Sequence, residues 1–162
     1  MTMEFTSFAE AGAHCAKLAL AQHEADKKSL ERATKLLQKK VKEKYGEYQP
    51  GAGPFMAWAE LAESTKQDRE RQGYSEDEPL LRKGDVRDSV ERLVKDREGF
   101  VGSDSQIAEW EELGTKNMPP RSTMGSAGVE NAEKIRDICG QETVIALVGA
   151  NVFQGRIEIE GD

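Results

Sequence analysis

The side chains that could support catalysis or bind a metal are few and poorly placed for either role. His14 and His23 are nine positions apart on a predicted helix, so they project from different faces and cannot share a metal ion. Cys15 and Cys139 lie among small or apolar residues, which indicates buried free thiols rather than a disulfide or metal site. The chain contains no GxSxG or GxxxxGK[ST] motif. We therefore expect no enzymatic activity, no cofactor and no metal site.

Three carboxylates, Glu109, Glu111 and Glu112, are clustered in the stretch IAEWEEL. Two carboxylates close together could act as a general acid and base, but side chains at this spacing on a polar helix face usually lie in solvent. We predict a short amphipathic helix over 104–113, with these glutamates on its solvated side. Its apolar face consists of Ile107, Trp110 and Leu113.

The next stretch, LGTKNMPPRSTMG (113–125), has residue types that could surround a phosphate or could form a rigid connection. Gly114 ends the preceding helix, and Pro119 and Pro120 stiffen the chain before the next helix begins. Arg121 follows this stiff segment and could pair with a carboxylate, within the fold or across an interface. As an anion site the stretch is poor, because it offers one basic side chain and one helix N-terminus. We interpret it as architecture.

Composition indicates a single domain with an appended arm. The 162 residues are 33% charged, mean hydropathy is −0.69, and no apolar run is long enough to span a bilayer. The first residues lack the basic and apolar regions of a secretory signal, so we expect none. The net charge is −7, yet residues 24–44 hold eight basic and four acidic residues, which leaves −11 elsewhere. A helix with this basic excess could contact nucleic acid, but interleaved acids favour a solvated face.

The elements that must position these residues begin with one long helix over 6–45. Thr6 or Ser7 can cap it, Glu10 completes a capping box, and the pattern allows a break near 22–26. Residues 46–57 form a glycine- and proline-rich loop. The segment beginning at Trp58 is predicted to be a short helix or an ordered turn that ends at Gly73.

The second half of the chain is less clear. Residues 80–102 fit helical spacing slightly better than a strand, although KDREG resembles a hairpin turn followed by FVG. A last helix is predicted over 126–150, in one piece or two, because Gly140 and Gly149 weaken it. The tail RIEIEGD alternates at Ile157 and Ile159, which is typical of an edge strand.

Short motifs follow one another in a recognisable order over residues 54–139. The first consists of Trp58, Leu61, Thr65, Arg69 and Gly73. The second consists of Leu80, Leu81, Gly84, Val86 and Ser89. A strand end at Val101–Gly102 is followed by Ala108, Glu112, Gly114 and Thr115, and then by Pro119, Pro120 and Arg121. This order resembles the tail-completion and virion-morphogenesis family of tailed bacteriophages. The usual aromatic after Pro–x–Arg is replaced by Ser122.

The resemblance implies an α+β fold, in which a small twisted antiparallel sheet is packed with helices and preceded by a long N-terminal helix. Residues 1–45 would form the arm and 46–162 the α+β domain. A helical turn at 84–88 would precede strands at about 89–95 and 98–103. The shared residues look structural. They would anchor a loop to the core (Trp58, Leu61), allow a tight turn (Gly84) and fix the start of the last helix (Pro119, Pro120, Arg121). Leu81, Gly114 and Thr115 are further structural or interface candidates.

The resemblance also implies a structural role in the neck of a virion. Such a protein would be a tail terminator or tail-completion protein, made in the host cytoplasm, that joins tail to head as a hexameric ring. Its partners would be its own copies, the tail tube and neck proteins, with DNA passing through the lumen without specific binding and no membrane. The long helix and the strand containing Ile157 and Ile159 are candidate interfaces between subunits. A connector or stopper and a cytoplasmic nucleic-acid-binding helical protein are the alternatives.

Overall fold

A computed structural model describes residues 6–148, and within that range the fold is α+β, as expected. Six helices accompany one two-stranded antiparallel sheet. In chain order the elements are α1 (Phe8–Glu43), α2 (Glu63–Arg71), α3 (Asp85–Asp88), β1 (Glu91–Lys95), β2 (Glu98–Gly102), α4 (Gln106–Leu113), α5 (Met124–Glu130) and α6 (Ala132–Val148). The predicted edge strand with Ile157 and Ile159 lies outside the described residues.

Helix α1 is continuous, so the break allowed near 22–26 does not occur. The Ser7 hydroxyl accepts a hydrogen bond from the Glu10 amide at 3.2 Å, as predicted, while the Glu10 carboxylate accepts from Thr6. At 1.5 Å per residue the helix is about 54 Å long. Small buried residues recur every four positions at Ala25, Ser29 and Ala33, which lets neighbouring elements approach the helix axis closely.

The ambiguous region over 80–102 forms a helical turn and a hairpin, so the slight preference for helix from periodicity was wrong. Gly84 adopts a positive φ of 90° and begins α3. Strands β1 and β2 then pair with Leu93 opposite Phe100, around a tight turn in which Asp96 has a φ of 55°. The inner face of the hairpin packs on α1, where Gly99 fits against Thr34 so closely that a Cβ would lie 2.6 Å from its Cγ2.

The last helical region is broken at Asn131, earlier than the two glycines suggested. Gly140 lies inside α6 and does not interrupt it, since α6 packs along α1 and that contact outweighs glycine's weak helix propensity. The Gln22 side-chain amide in α1 donates a hydrogen bond to the Thr143 hydroxyl near the end of α6 at 3.4 Å. The core lies where α1, the hairpin and α5 meet, and consists of Val41, Tyr45, Val90 and Ala127.

Candidate functional site

Helix α4 turns its acidic side toward the interior and its apolar side toward solvent, which is the reverse of the prediction. Ile107, Trp110 and Leu113 are 50%, 45% and 71% exposed, whereas Glu111 is only 7% exposed and Glu112 is half-buried. The prediction of a solvated glutamate face is therefore wrong for Glu111 and Glu112. Only Glu109 lies in solvent as expected. The physical reason is that later parts of the chain supply hydrogen-bond donors and a positive charge to the buried carboxylates.

The Glu112 carboxylate caps the N-terminus of α5. Its Oε1 accepts hydrogen bonds from the Ser122 hydroxyl at 2.5 Å and the Gly125 amide at 2.8 Å, and its Oε2 accepts from the amides of Thr123 at 2.8 Å and Met124 at 3.0 Å. Burial opposes ionisation, but these hydrogen bonds outweigh it and lower the pKa of Glu112 below its usual value.

Because Glu112 caps α5, residues 113–125 do not provide a free site for a phosphate. The amide groups that would bind an external anion at the start of α5 already donate to Glu112, eleven to thirteen positions earlier in the chain. A Cβ on Gly125 would also lie 2.8 Å from Phe55 Cε1 and 3.0 Å from Glu112 Oε1, so the ring and the carboxylate together fill the space. The stretch is an internal connection whose anion comes from the fold itself, which agrees with the interpretation as architecture.

Glu111 and Tyr45 form a second, less satisfied polar cluster beneath α4. Burial raises the pKa of Glu111 to about 7, although the nearby Arg121 guanidinium partly lowers it. Burial likewise raises the pKa of Tyr45 to about 12. Glu111 Oε2 and the Tyr45 hydroxyl are buried without a hydrogen-bond partner among the described residues, although the Thr123 side chain is near enough to favour the ionised tyrosine slightly. Such groups disfavour the fold while they stay unpaired.

Arg121 is 4% exposed and holds backbone rather than a carboxylate. Its Nη2 donates to the carbonyl oxygens of Ala59 at 2.9 Å and Glu60 at 3.3 Å, and its Nε donates to Ala59 at 3.3 Å. Arg121 makes no ion pair within the described residues, so inside the fold these carbonyl contacts replace the predicted pairing with a carboxylate. The guanidinium fork thereby ties the extended chain before α2 to the start of α5.

The turn before Arg121 behaves as its residue types predicted. Gly114 ends α4 with a φ of 76°, and a Cβ there would lie 2.9 Å from the Pro120 nitrogen. Thr115 and Met118 bond to each other through their backbones at 2.8 and 3.3 Å, which closes a small loop. Pro119 and Pro120 are exposed and extend the chain away from that loop.

The earlier motif residues are placed around the same scaffold. Trp58 is buried, and its backbone amide donates to the Gln49 carbonyl at 2.9 Å. Leu61 is half-buried and its amide donates to the Tyr48 hydroxyl at 3.0 Å. Leu81 packs against the core cluster. Ser89, in the motif but not among the predicted sites, shares a hydrogen bond of 2.7 Å with the Ser103 hydroxyl, which joins both ends of the hairpin.

Sequence reasoning assigned no structural role to two buried cations. Arg69 is 4% exposed and donates to the carbonyls of Ser75 at 2.7 Å and Leu81 at 2.6 Å. Lys44 is also buried and pairs with Glu130 at 2.8 Å. Arg69 had a signal, since it belongs to the first motif. Lys44 had none, because it lies within a run of basic residues that otherwise face solvent.

The residues considered for chemistry are not brought together. Among residues 6–148 no group of three His, Cys, Asp or Glu side chains could hold a metal ion. Both cysteines are free, but Cys15 is exposed and Cys139 is half-buried, so the prediction of buried thiols is wrong for Cys15 and only partly met by Cys139. Within the same range no helix is long and apolar enough to cross a membrane.

Large apolar side chains are exposed on the last turns of α6, at Val144, Ile145, Leu147 and Val148, and on two further surfaces of the described chain. The first, which we call the α4 face, consists of Ile107, Trp110 and Leu113. The second is the outer face of the hairpin, where the cross-strand partners Leu93 and Phe100 are about half exposed. Groups of large apolar side chains on a surface are typical of contacts with other proteins. Comparison with protein-family models, curated proteins and solved structures found no match to this chain.

Proposed function

We propose that this chain is a structural protein of the neck of a tailed-phage particle, a tail terminator or tail-completion protein that joins tail to head as a hexameric ring. The proposal is supported by the order of the motifs and by the structural roles of the motif residues. Arg69 and Arg121 donate to backbone carbonyls, and Gly84 and Gly114 adopt the positive φ of tight turns. A scaffold with this use of its motif residues suits a structural role, and the proposal includes no catalytic residue.

The observation that carries the ring is the outward apolar face of α4. Glu111 and Glu112 face the interior while Trp110 and Leu113 face outward, so the helix exposes the side chains that a partner could bury. A closed ring requires two different patches on each subunit. The α4 face would be one patch and the hairpin's outer face, with Leu93 and Phe100, the other. Both are small, so further contacts would come from other elements, including α1.

DNA would pass through the lumen of such a ring, in contact with a chain that carries a net charge of −7. Acidic surfaces repel phosphates, so DNA would move without specific binding. The partners along the axis would be the tail tube and neck proteins, and the protein would be located at the head–tail junction of the virion.

The ring is tested with purified protein and with one substitution on the α4 face. Trp110→Ser removes an exposed aromatic, and Glu109→Ser is the matched control on the same helix because Glu109 is exposed and polar. We expect light scattering to give a multiple of the 18.0 kDa chain mass for wild type and control and a smaller species for Trp110→Ser. A monomeric wild type at every concentration would contradict the ring.

The role within the particle is tested by microscopy of particles assembled without this protein. Tails of normal length that never join heads would support head–tail joining, and overlong tails would support termination. A connector or stopper between portal and tail would instead leave heads that lose their DNA. Ordinary infectious particles would contradict all three roles.

A further inference from the structure

A basic pocket lies between α1, β1 and α6. Its volume is about 250 Å³, and it is open to solvent. The pocket is lined by Lys28, Glu31, Arg32, Lys35, Arg92 and Glu142. Four cations therefore share a small space with two carboxylates, in a chain whose overall net charge is −7.

Three of these cations lie along one face of α1 and the fourth comes from the hairpin. Lys28, Arg32 and Lys35 recur at intervals of four and three positions, which places them on the same side of the helix. Arg92 belongs to the inner face of β1, the face that packs on α1. The convergence of two elements distinguishes this pocket from a solvated helix face, in which basic side chains spread away from each other.

The pocket keeps a net positive charge, because it contains four cations and only two carboxylates. Arg32 is paired with Glu142 of α6. Lys28, Lys35 and Arg92 make no ion pair or hydrogen bond with any described residue. Like charges held together repel each other, and a bound anion relieves that repulsion.

The spacing of the cations indicates what kind of anion fits. Lys28 and Lys35 are seven positions apart, which is about 10 Å along the helix axis. Their flexible side chains, with Arg92 beside them, can therefore contact several phosphates of one extended anion. None of the six lining residues is aromatic, so the pocket offers no platform on which bases could stack.

We propose that this pocket binds a chain of phosphates, with Lys28, Lys35 and Arg92 as the contacting side chains and without preference for base sequence. The nucleic-acid backbone and inorganic polyphosphate both supply this chemistry. Arg32 lines the pocket and orients Glu142, but its own charge is already paired. The proposal rests on the pocket alone and does not depend on the ring, so either can fail without the other.

The test compares two triple variants that remove the same charge from different places. The pocket variant is Lys28→Gln/Lys35→Gln/Arg92→Gln. The control is Lys27→Gln/Lys39→Gln/Lys116→Gln, whose three lysines are exposed, lie outside the pocket and form no ion pair or hydrogen bond with residues 6–148. Binding of labelled duplex DNA, single-stranded DNA and polyphosphate is measured by fluorescence anisotropy. Circular dichroism checks that both variants are folded, and Arg92→Lys alone tests whether the charge is sufficient.

If three phosphates are neutralised, duplex affinity should fall about 40-fold, and single-strand affinity about 20-fold, between about 50 and about 200 mM salt. The pocket variant should lose most of the binding and most of this salt dependence, while the control and Arg92→Lys should keep both. Binding of polyphosphate but not DNA would still support the site and would identify polyphosphate as the ligand.

Three results would overturn the proposal. The first is no binding of any of the three probes at about 50 mM salt. The second is equal weakening in both triple variants, which would show that only total charge matters. The third is a pocket variant with an altered oligomeric state and unchanged phosphate binding, which would assign the pocket to carboxylates of another subunit.

Discussion

Glu111 should make the stability of this protein fall as the pH rises toward neutrality. Its pKa is 4.5 without the fold and about 7 in the folded chain. Below pH 4.5 the carboxyl is neutral in both states, and above pH 7 it is ionised in both. Between these values folding takes up a proton, so the free energy of unfolding decreases with rising pH. At about 1.4 kcal/mol per pH unit, the total decrease is on the order of 3 kcal/mol.

The substitution Glu111→Gln keeps the side chain neutral at every pH and should remove this dependence. The amide of glutamine has its own cost at this buried site beneath α4, because a buried nitrogen replaces an oxygen that already has no partner. That cost does not change with pH. The informative quantity is therefore the unfolding free energy of the variant minus that of the wild type. This difference should increase by about 3 kcal/mol from about pH 4.5 to about pH 8.

Urea unfolding at a series of pH values measures this difference, with Glu109→Gln as the control. That substitution removes one carboxylate from the same helix without altering the buried cluster, so its difference curve should stay level over the same range. Parallel curves for Glu111→Gln and wild type would refute the reasoning, because they would show that Glu111 ionises as readily in the folded chain as in the unfolded one.

Three further substitutions test the scaffold around α4 and α5. Glu112→Ala removes the cap of α5 and should lower the free energy of unfolding, measured in urea, by about 2–4 kcal/mol. Because the pKa of Glu112 is lowered in the folded chain, wild-type stability should also decrease as the pH falls below 4.5. Arg121→Ala leaves the carbonyls of Ala59 and Glu60 without their donor and should cost about 2–4 kcal/mol in thermal unfolding, with Arg121→Lys recovering part of it. Gly114→Ala combines a positive φ with a contact of 2.9 Å and should cost about 1–3 kcal/mol, whereas Gly128→Ala in α5, where a Cβ meets nothing within 4 Å, should not destabilise the fold. Unchanged unfolding midpoints in any of these three variants would contradict the role assigned to that residue.

Local sequence determined much of the secondary structure. The long helix follows from Ser7, Glu10 and the absence of proline before residue 50, and the structure places its ends within two residues of the prediction. Gly114 ends α4 because only glycine adopts its φ without strain. These features depend on neighbours within about four positions, so the residue types are sufficient to predict them.

The hairpin shows where local sequence alone was insufficient. Val86, Val90 and Val94 fit one side of a helix, and they also fit one face of a strand, with a slight preference for the helix. The order of motifs favoured the turn and hairpin, and the structure has α3, β1 and β2 there. The strand is stabilised by its pairing with β2 and by its packing on α1, and neither partner is visible in the periodicity of this segment.

The orientation of α4 was decided by the tertiary structure alone. Periodicity divides the helix into an apolar face and an acidic face, but it does not state which one meets the interior. The sequence favours burying Trp110 and exposing Glu112. The fold does the reverse, because Arg121 and the first amides of α5 reach the carboxylates from beyond the turn. The cost of burying a charge depends on partners that only the folded chain brings close. The sequence therefore could not predict that the acidic face of α4 is buried and that its apolar face is exposed.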